Sequence, residues 1–292
     1  MCKKVRMKPK LLLNAGYPSS GTTSMYYTLW NNKYGHGGHW KENQYLLFLQ
    51  SPYLFENRKK IHKNSVKFGE GEMRPWDLPR NIFMDYHTPI LPFTTKKFKL
   101  EKYIAYYLDL WERIKGEYKS MLDFSNAKHP LSEKFMLSVR DELLKNFDIK
   151  AVMTLRDPIH RLWSYCNRRS LTRGGKPQSY MKIFFHDLSL SYVEKYQRYV
   201  RVWGKDNVKV IINEDFYAGH TQPLSDFLEY DISPTFNHVT DLYDIKHKVY
   251  NNWSKIDIKT WTNAFENMSW VYDEFEKTFG YIPHQWGRHS IL

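Results

Sequence analysis

The chain has only two cysteines in 292 residues, Cys2 and Cys166. Two thiols cannot build a disulfide framework, so a small cross-linked secreted scaffold is excluded and a reducing compartment is expected. Long apolar runs are absent too. No stretch approaches the roughly 20 residues that a membrane-spanning helix needs. Behind the basic first ten residues the apolar run is only Leu11-Leu12-Leu13, too short for the core of a secretory signal. A cytoplasmic location with no membrane span is the expectation. Glycine (14) and proline (13) are sparse, which excludes collagen-like and low-complexity classes. Acidic residues are also short: 31 Asp and Glu stand against 44 Lys and Arg, a net charge of +13. That imbalance predicts an anionic partner, whether a nucleotide, a nucleic acid, a sulfated or phosphorylated polymer, or a membrane surface. Apolar content is not lacking. Aromatics make up 17% and hydrophobic residues 42% of the chain, which excludes disorder for its bulk.

No internal repeat and no linker interrupts the sequence. A single domain over residues 1–292 is expected, with an insertion-like region at about 56–98 that carries no sustained period. Lys10 to Leu13 reads as a buried strand running into a turn at Asn14-Ala15-Gly16. Helical spacing follows over Thr22–Trp30. Asn43–Phe55 reads as helical up to Pro52. Leu100, Tyr103, Ile104, Tyr107, Leu108, Trp111 and Ile114 mark an amphipathic helix. Met121–Phe124 predicts a short strand, and Ser132 caps a helix running to about Phe147. Ile149–Leu155 is the clearest buried strand. Asp157 then serves as N-cap and Pro158 as the first residue of a new helix. Leu188–Trp203 predicts a helix, Val208–Ile212 a strand closed by Asn213-Glu214-Asp215, and 257–279 a last helix. Strands alternating with helices predict an α/β fold in three layers with a mainly parallel sheet. Ligands of such sheets bind beyond the carboxyl ends of the strands.

Two segments sit at such ends. The first is Gly16-Tyr17-Pro18-Ser19-Ser20-Gly21-Thr22-Thr23. It fits the phosphate-loop pattern G-x-x-x-x-G-K-[ST] except that Thr22 stands where the lysine belongs. The backbone logic survives: a tight loop turns successive N–H groups inward, and the helix N-terminus favours an anion. The missing lysine removes the cation that meets the terminal phosphates of a nucleoside triphosphate. A plain capped turn is the competing reading, and the strand before and helix after favour anion binding. The second segment is Arg156-Asp157-Pro158-Ile159-His160-Arg161-Leu162-Trp163-Ser164-Tyr165. A guanidinium at a strand end, with Ser164 two turns along the next helix, suits a phosphate monoester. Capping alone explains Asp157 and Pro158, so a basic solvated helix stays open at this point.

Tyr17 to Thr23 resembles the 5′-phosphosulfate loop, Y-P-K-S-G-T-T, of sulfotransferases that use 3′-phosphoadenosine 5′-phosphosulfate (PAPS). Six of its seven residues match, and Ser19 replaces the family's lysine. Arg156 to Tyr165 resembles the first part of the family's 3′-phosphate motif, R-D-P-x-x-R-x-x-S-x-Y. The resemblance implies a P-loop-like nucleotide fold. It also implies 5′-phosphate contacts from Ser19, Ser20, Gly21, Thr22 and Thr23, and 3′-phosphate contacts from Arg156 and Ser164. Val210 to Phe216 is a weaker echo of a later family strand ending in E-D-[LF]. Lys41-Glu42-Asn43-Gln44-Tyr45 is similar to the K-E-x-x-[FY] stretch of the glycan and bacterial branch, which makes Glu42 the implied base and Lys41 the stand-in cation. His87, in His87-Thr88-Pro89, is the rival base on pKa grounds. Asp123 fits a pocket-lining position loosely, and Lys246, Lys248 and Arg288 are candidates for a further 3′-phosphate contact.

The expected reaction is transfer of a sulfuryl group from PAPS, leaving adenosine 3′,5′-bisphosphate (PAP), to a hydroxyl or amine acceptor, a carbohydrate being favoured. Physically this parallels phosphoryl transfer, where positioning and electrostatics dominate. No metal is called for, and the histidines, His36 and His39 included, lack a ligand set. Two other classes compete. A small-molecule kinase needs the missing lysine and an acidic magnesium ligand, for which Ile82–Asp85 is a weak candidate. A basic nucleic-acid-binding protein would interleave cations and aromatics along one surface, but Tyr and Trp here fall on apolar helix faces, so no specific nucleic-acid partner is expected.

Overall fold

The structure is a computed structural model that describes residues 8–17, 19–38, 45–50, 99–124, 131–173, 175–185, 191–235 and 256–288. The insertion-like region and the candidates Lys41, Glu42, His87, Lys246 and Lys248 lie outside the described residues.

Five strands form one sheet in which every pairing is parallel: β1 (Lys10–Asn14), β2 (Gly35–His36), β3 (Ser120–Asp123), β4 (Asp148–Leu155) and β5 (Val208–Ile212), in the order β2-β3-β1-β4-β5. The helices are α1 (Thr22–Asn31), α2 (Tyr45–Gln50), α3 (Leu100–Ile114), α4 (Glu133–Asn146), α5 (Pro158–Arg173), α6 (Pro177–Phe184), α7 (Tyr192–Trp203), α8 (Asn213–Tyr217), α9 (Gln222–Leu228) and α10 (Ile258–Phe279). β1 is central. Leu11 pairs with Met121 on one side and Ile149 on the other. A strand buried on both faces needs a continuous apolar run, and Leu11, Leu12, Leu13 and Ala15 are all buried. Successive side chains serve opposite layers. Leu11 and Leu13 join one core with Tyr103, Tyr107, Met153 and Phe275, while Leu12 joins the other with Met25, Leu122, Val152 and Phe216. The expected three layers are thus present.

Most predicted elements form, with shifted ends. Ser132 Oγ accepts from Phe135 N–H at 3.2 Å and starts α4. Ser191 Oγ accepts from Glu194 N–H at 3.0 Å, so α7 starts at Tyr192 and not at Leu188. Asn213-Glu214-Asp215 does more than close β5: it opens the short helix α8. Many aromatics are core, as expected. Tyr26, Tyr103, Tyr107 and Tyr192 are fully buried.

Candidate functional site

The chain runs from β1 to β3 and β2 on one side of the sheet, then returns to β4 and β5 on the other. The direction of strand order therefore reverses between β1 and β4, the switch point where open α/β sheets leave a crevice. Both predicted anion segments leave the carboxyl ends of these two adjacent strands.

The loop after β1 is tight and left-handed in two places, at Ser19 (φ 66°) and Gly21 (φ 78°). Gly21 is the N-cap of α1 and brings no side chain to cap it. The helix's first backbone bond runs from Met25 N–H to Gly21 O at 3.1 Å, so the earlier N–H groups are its terminal donors. Ser20 is fully buried, and its Oγ has no hydrogen-bond partner among the described residues. A buried hydroxyl left so is costly unless a water or a ligand completes it. Thr22 is buried and Thr23 half-buried on the first turn of α1. Glycine is required by packing as well as by dihedral. A Cβ on Gly21 would stand 1.6 Å from Asn213 Oδ1, and one on Gly16 would stand 2.4 Å from Thr154 Oγ1. The loop is thus pressed between β4 and the start of α8.

The second segment is organised by Asp157, which is buried and fully engaged. Its Oδ1 accepts from Ile159 N–H and His160 N–H, both at 2.9 Å, the N-cap that the sequence predicts. Its Oδ2 accepts from Tyr272 Oη at 3.0 Å and Gly287 N–H at 2.8 Å. Glu214, in the first turn of α8, accepts from Asp157 N–H at 2.9 Å and Trp286 Nε1 at 3.1 Å. Burial pushes the Glu214 carboxyl up; the Asp157 N–H, its own N–H, Trp286 and the charge of Arg156 pull it back. The echo of E-D-[LF] is therefore a bracing carboxylate that fixes the backbone beside Arg156. Arg156 itself is half-buried, as is Ser164 two turns on, and neither side chain has a hydrogen-bond partner among the described residues. Exposed Arg288 directly follows Gly287 in the chain.

Two further cations stand behind the loop. Arg161 and Lys195 are both buried. Arg161 lies over the rings of Tyr17, at 4.6 Å, and Tyr192, at 5.4 Å, so it packs against the loop. Lys195, from α7, donates to Gly16 O at 2.9 Å. Sequence reading passed over Lys195, Thr154, Asn213 and Trp286. Only Lys195 left a trace there, as a lysine on the apolar stripe of Tyr192 and Tyr199. Asp123, buried at the end of β3, accepts from Tyr103 Oη at 2.8 Å through Oδ2. Among the described residues no cluster of His, Cys, Asp or Glu could hold a metal ion, and no helix is long and apolar enough to cross a membrane.

No protein-family model matches the chain, and no curated protein matches its sequence. Its fold is similar to that of solved structures. A sulfotransferase from Alicyclobacillus acidocaldarius aligns at a TM-score of 0.54 and 16% identity, over 96% of this chain and 99% of that one. The sulfotransferase domain of the Synechococcus PCC 7002 olefin synthase aligns at 0.46 and 16% identity, over 96% and 98%. Sulfotransferase STF9 from Mycobacterium avium aligns at 0.43 and 13% identity, over 94% and 77%. The first of these shows that the chain has the α/β fold found in a sulfotransferase.

Proposed function

We propose that the protein transfers a sulfuryl group from PAPS to a hydroxyl or amine of an acceptor, a carbohydrate by preference. The observation that carries this reading is the buried, unpartnered Ser20 Oγ at the left-handed entry to α1, one strand away from Arg156 and Ser164. Two anion sites on adjacent strands suit a nucleotide with phosphates at both its 5′ and 3′ positions. The residues fit such a group. Ser20, Gly21, Thr22 and Thr23 hold the 5′ anion, with the dipole of α1 behind them. Arg156 and Ser164 take the 3′-phosphate, the guanidinium supplying paired donors, and Arg288, the residue after Gly287, is the candidate second cation.

PAPS supplies the activated sulfuryl group. The chain must supply a base for the acceptor proton and positive charge for the departing oxygen. Glu42 accepts that proton in this reading, and Lys41 stands in for the cation absent at Ser19; His87 is the alternative base. A screen of radiolabelled sulfuryl transfer from PAPS to glycans, phenols, amines and peptides tests the proposal. Label should move to at least one class, with glycans first. Tight PAP binding without transfer to any acceptor would reduce the site to a nucleotide-binding relic.

A further inference from the structure

Lys195 has no part in the chemistry above, yet it is buried against the loop that would hold the nucleotide. It lies on α7 between Tyr192 and Tyr199, where an apolar side chain would continue the buried face. Placing an ammonium there costs desolvation. Burial, with Arg161 and Arg198 nearby, pulls it from its ordinary 10.5 down to about 7. Its contacts are with the loop. Nζ donates to Gly16 O at 2.9 Å and stands 4.0 Å from the centre of the Tyr17 ring. Arg161 covers the same ring at 4.6 Å and donates through Nε to Tyr192 Oη at 2.9 Å. Tyr192 Oη donates to Arg156 O at 2.7 Å, and Tyr17 Oη to Ser191 O at 2.7 Å.

Three consequences follow from this geometry. First, the carbonyl and the following N–H of a trans peptide point opposite ways, so holding Gly16 O toward Lys195 turns Tyr17 N–H away from it and fixes the entry of the loop. Second, Tyr17 is gripped by two cations, each worth more in a desolvated site than at a surface. Third, among the described residues no carboxylate pairs with Lys195 or Arg161, so their positive charge is left over against Gly16 O and the Tyr17 ring.

We propose that Lys195 and Arg161 are positioning residues that clamp the loop through Gly16 and Tyr17 and supply, from behind it, positive field that the side chain at Ser19 does not. The inference rests on the nucleotide reading above and concerns the 5′ anion alone.

Calorimetric titration of the full-length protein with PAP and with adenosine 3′-phosphate, at about pH 6, where Lys195 carries its charge, tests it. Lys195→Met leaves an unbranched side chain one atom shorter and removes the charge and the donor. PAP affinity should fall about tenfold or more, the scale of a lost charge-assisted contact, while adenosine 3′-phosphate changes by less than about twofold. Tyr17→Leu, which removes the ring that both cations grip, should weaken PAP more than Tyr17→Phe, which keeps it; this contrast decides the matter should Lys195→Met not fold. The clamp is refuted if folded Lys195→Met binds PAP as wild type does, if both nucleotides weaken equally, or if the two Tyr17 variants are indistinguishable. A wild type that binds neither nucleotide removes the functional reading and the clamp together. A wild type that binds both, with PAP affinity unmoved by the variants, removes the clamp alone.

Discussion

Adding one methyl group at Gly16 tests how tightly the loop is seated on the sheet. The new Cβ would lie 2.4 Å from Thr154 Oγ1, 2.9 Å from Asn14 Oδ1 and 2.9 Å from Thr22 Cγ2. Ordinary carbon contacts are about 3.5–4.0 Å, so it is crowded on three sides. None of these neighbours is the tip of a long flexible chain. Thr154 is β-branched and buried on β4. Asn14 Oδ1 accepts from the N–H of Gly16 itself at 2.8 Å. The loop cannot lift away freely, because Lys195 holds Gly16 O. Overpacking of this kind costs about 1–3 kcal/mol. Thr154→Ala removes the closest contact and a hydroxyl that has no partner among the described residues. It leaves the other two contacts, so the double variant should recover about half the loss, a coupling of about 0.5–1.5 kcal/mol. Urea unfolding followed by tryptophan fluorescence gives both numbers, and a PAP titration of each variant shows whether the loop has moved. Gly16→Ala within about 0.5 kcal/mol of wild type, with unchanged PAP affinity, would show that the loop does not rest on β4 as described.

Lys195 titrates near 7 when folded and near 10.5 when unfolded, so its contribution is complete above about pH 10.5, declines as pH falls toward 7, and declines no further below. The stability of wild type minus that of Lys195→Met should rise between pH 7 and 10, by less than a ceiling of about 5 kcal/mol, because the Tyr17 ring and Gly16 carbonyl favour the charged form; a flat difference in chemical denaturation refutes it. Arg156→Ala should cost PAP about 1.5–3 kcal/mol of binding and leave adenosine 5′-phosphate nearly unmoved; wild-type calorimetry showing equal affinity for the two nucleotides would remove the 3′-phosphate assignment. Lys41→Ala and Glu42→Gln should cut turnover while PAP affinity holds, since both act on charge that develops during transfer; full turnover in both moves the base to His87.

The fold was legible wherever a single segment carries its own pattern. Leu11-Leu12-Leu13, Ile149–Leu155 and Val208–Ile212 are short apolar runs bounded by turn residues, and each is a parallel strand. Asp157-Pro158 announced its helix, and Asp157 Oδ1 caps it. The two segments predicted to bind anions stood out for the same reason, since each is contiguous. What surrounds them was not. Thr154 and Asn213 reach the loop from elements distant in sequence, and nothing local distinguishes them from any strand threonine or turn asparagine. Trp286 and Gly287 come back to Glu214 and Asp157 from beyond α10, a contact that no periodicity encodes. Arg161 was visible as part of a motif, but its partner Tyr17 lies on the other motif, and only the fold puts one on the other.

The central place of β1 has a consequence for how the chain is made. Lys10–Asn14 leaves the ribosome first among the strands, yet its partners are Met121–Asp123 and Asp148–Val152. At about 5–20 residues per second, Leu11, Leu12 and Leu13 wait roughly 7–30 s before β4 is synthesised and their second edge can pair. Such non-local pairing is intrinsically slow to form and prone to association. The loop after β1, which has no stable seat until β4 brings Thr154 beneath it, therefore matures late although it is encoded early. Through that interval β1 stays without its second edge, which is when the growing chain is most open to association.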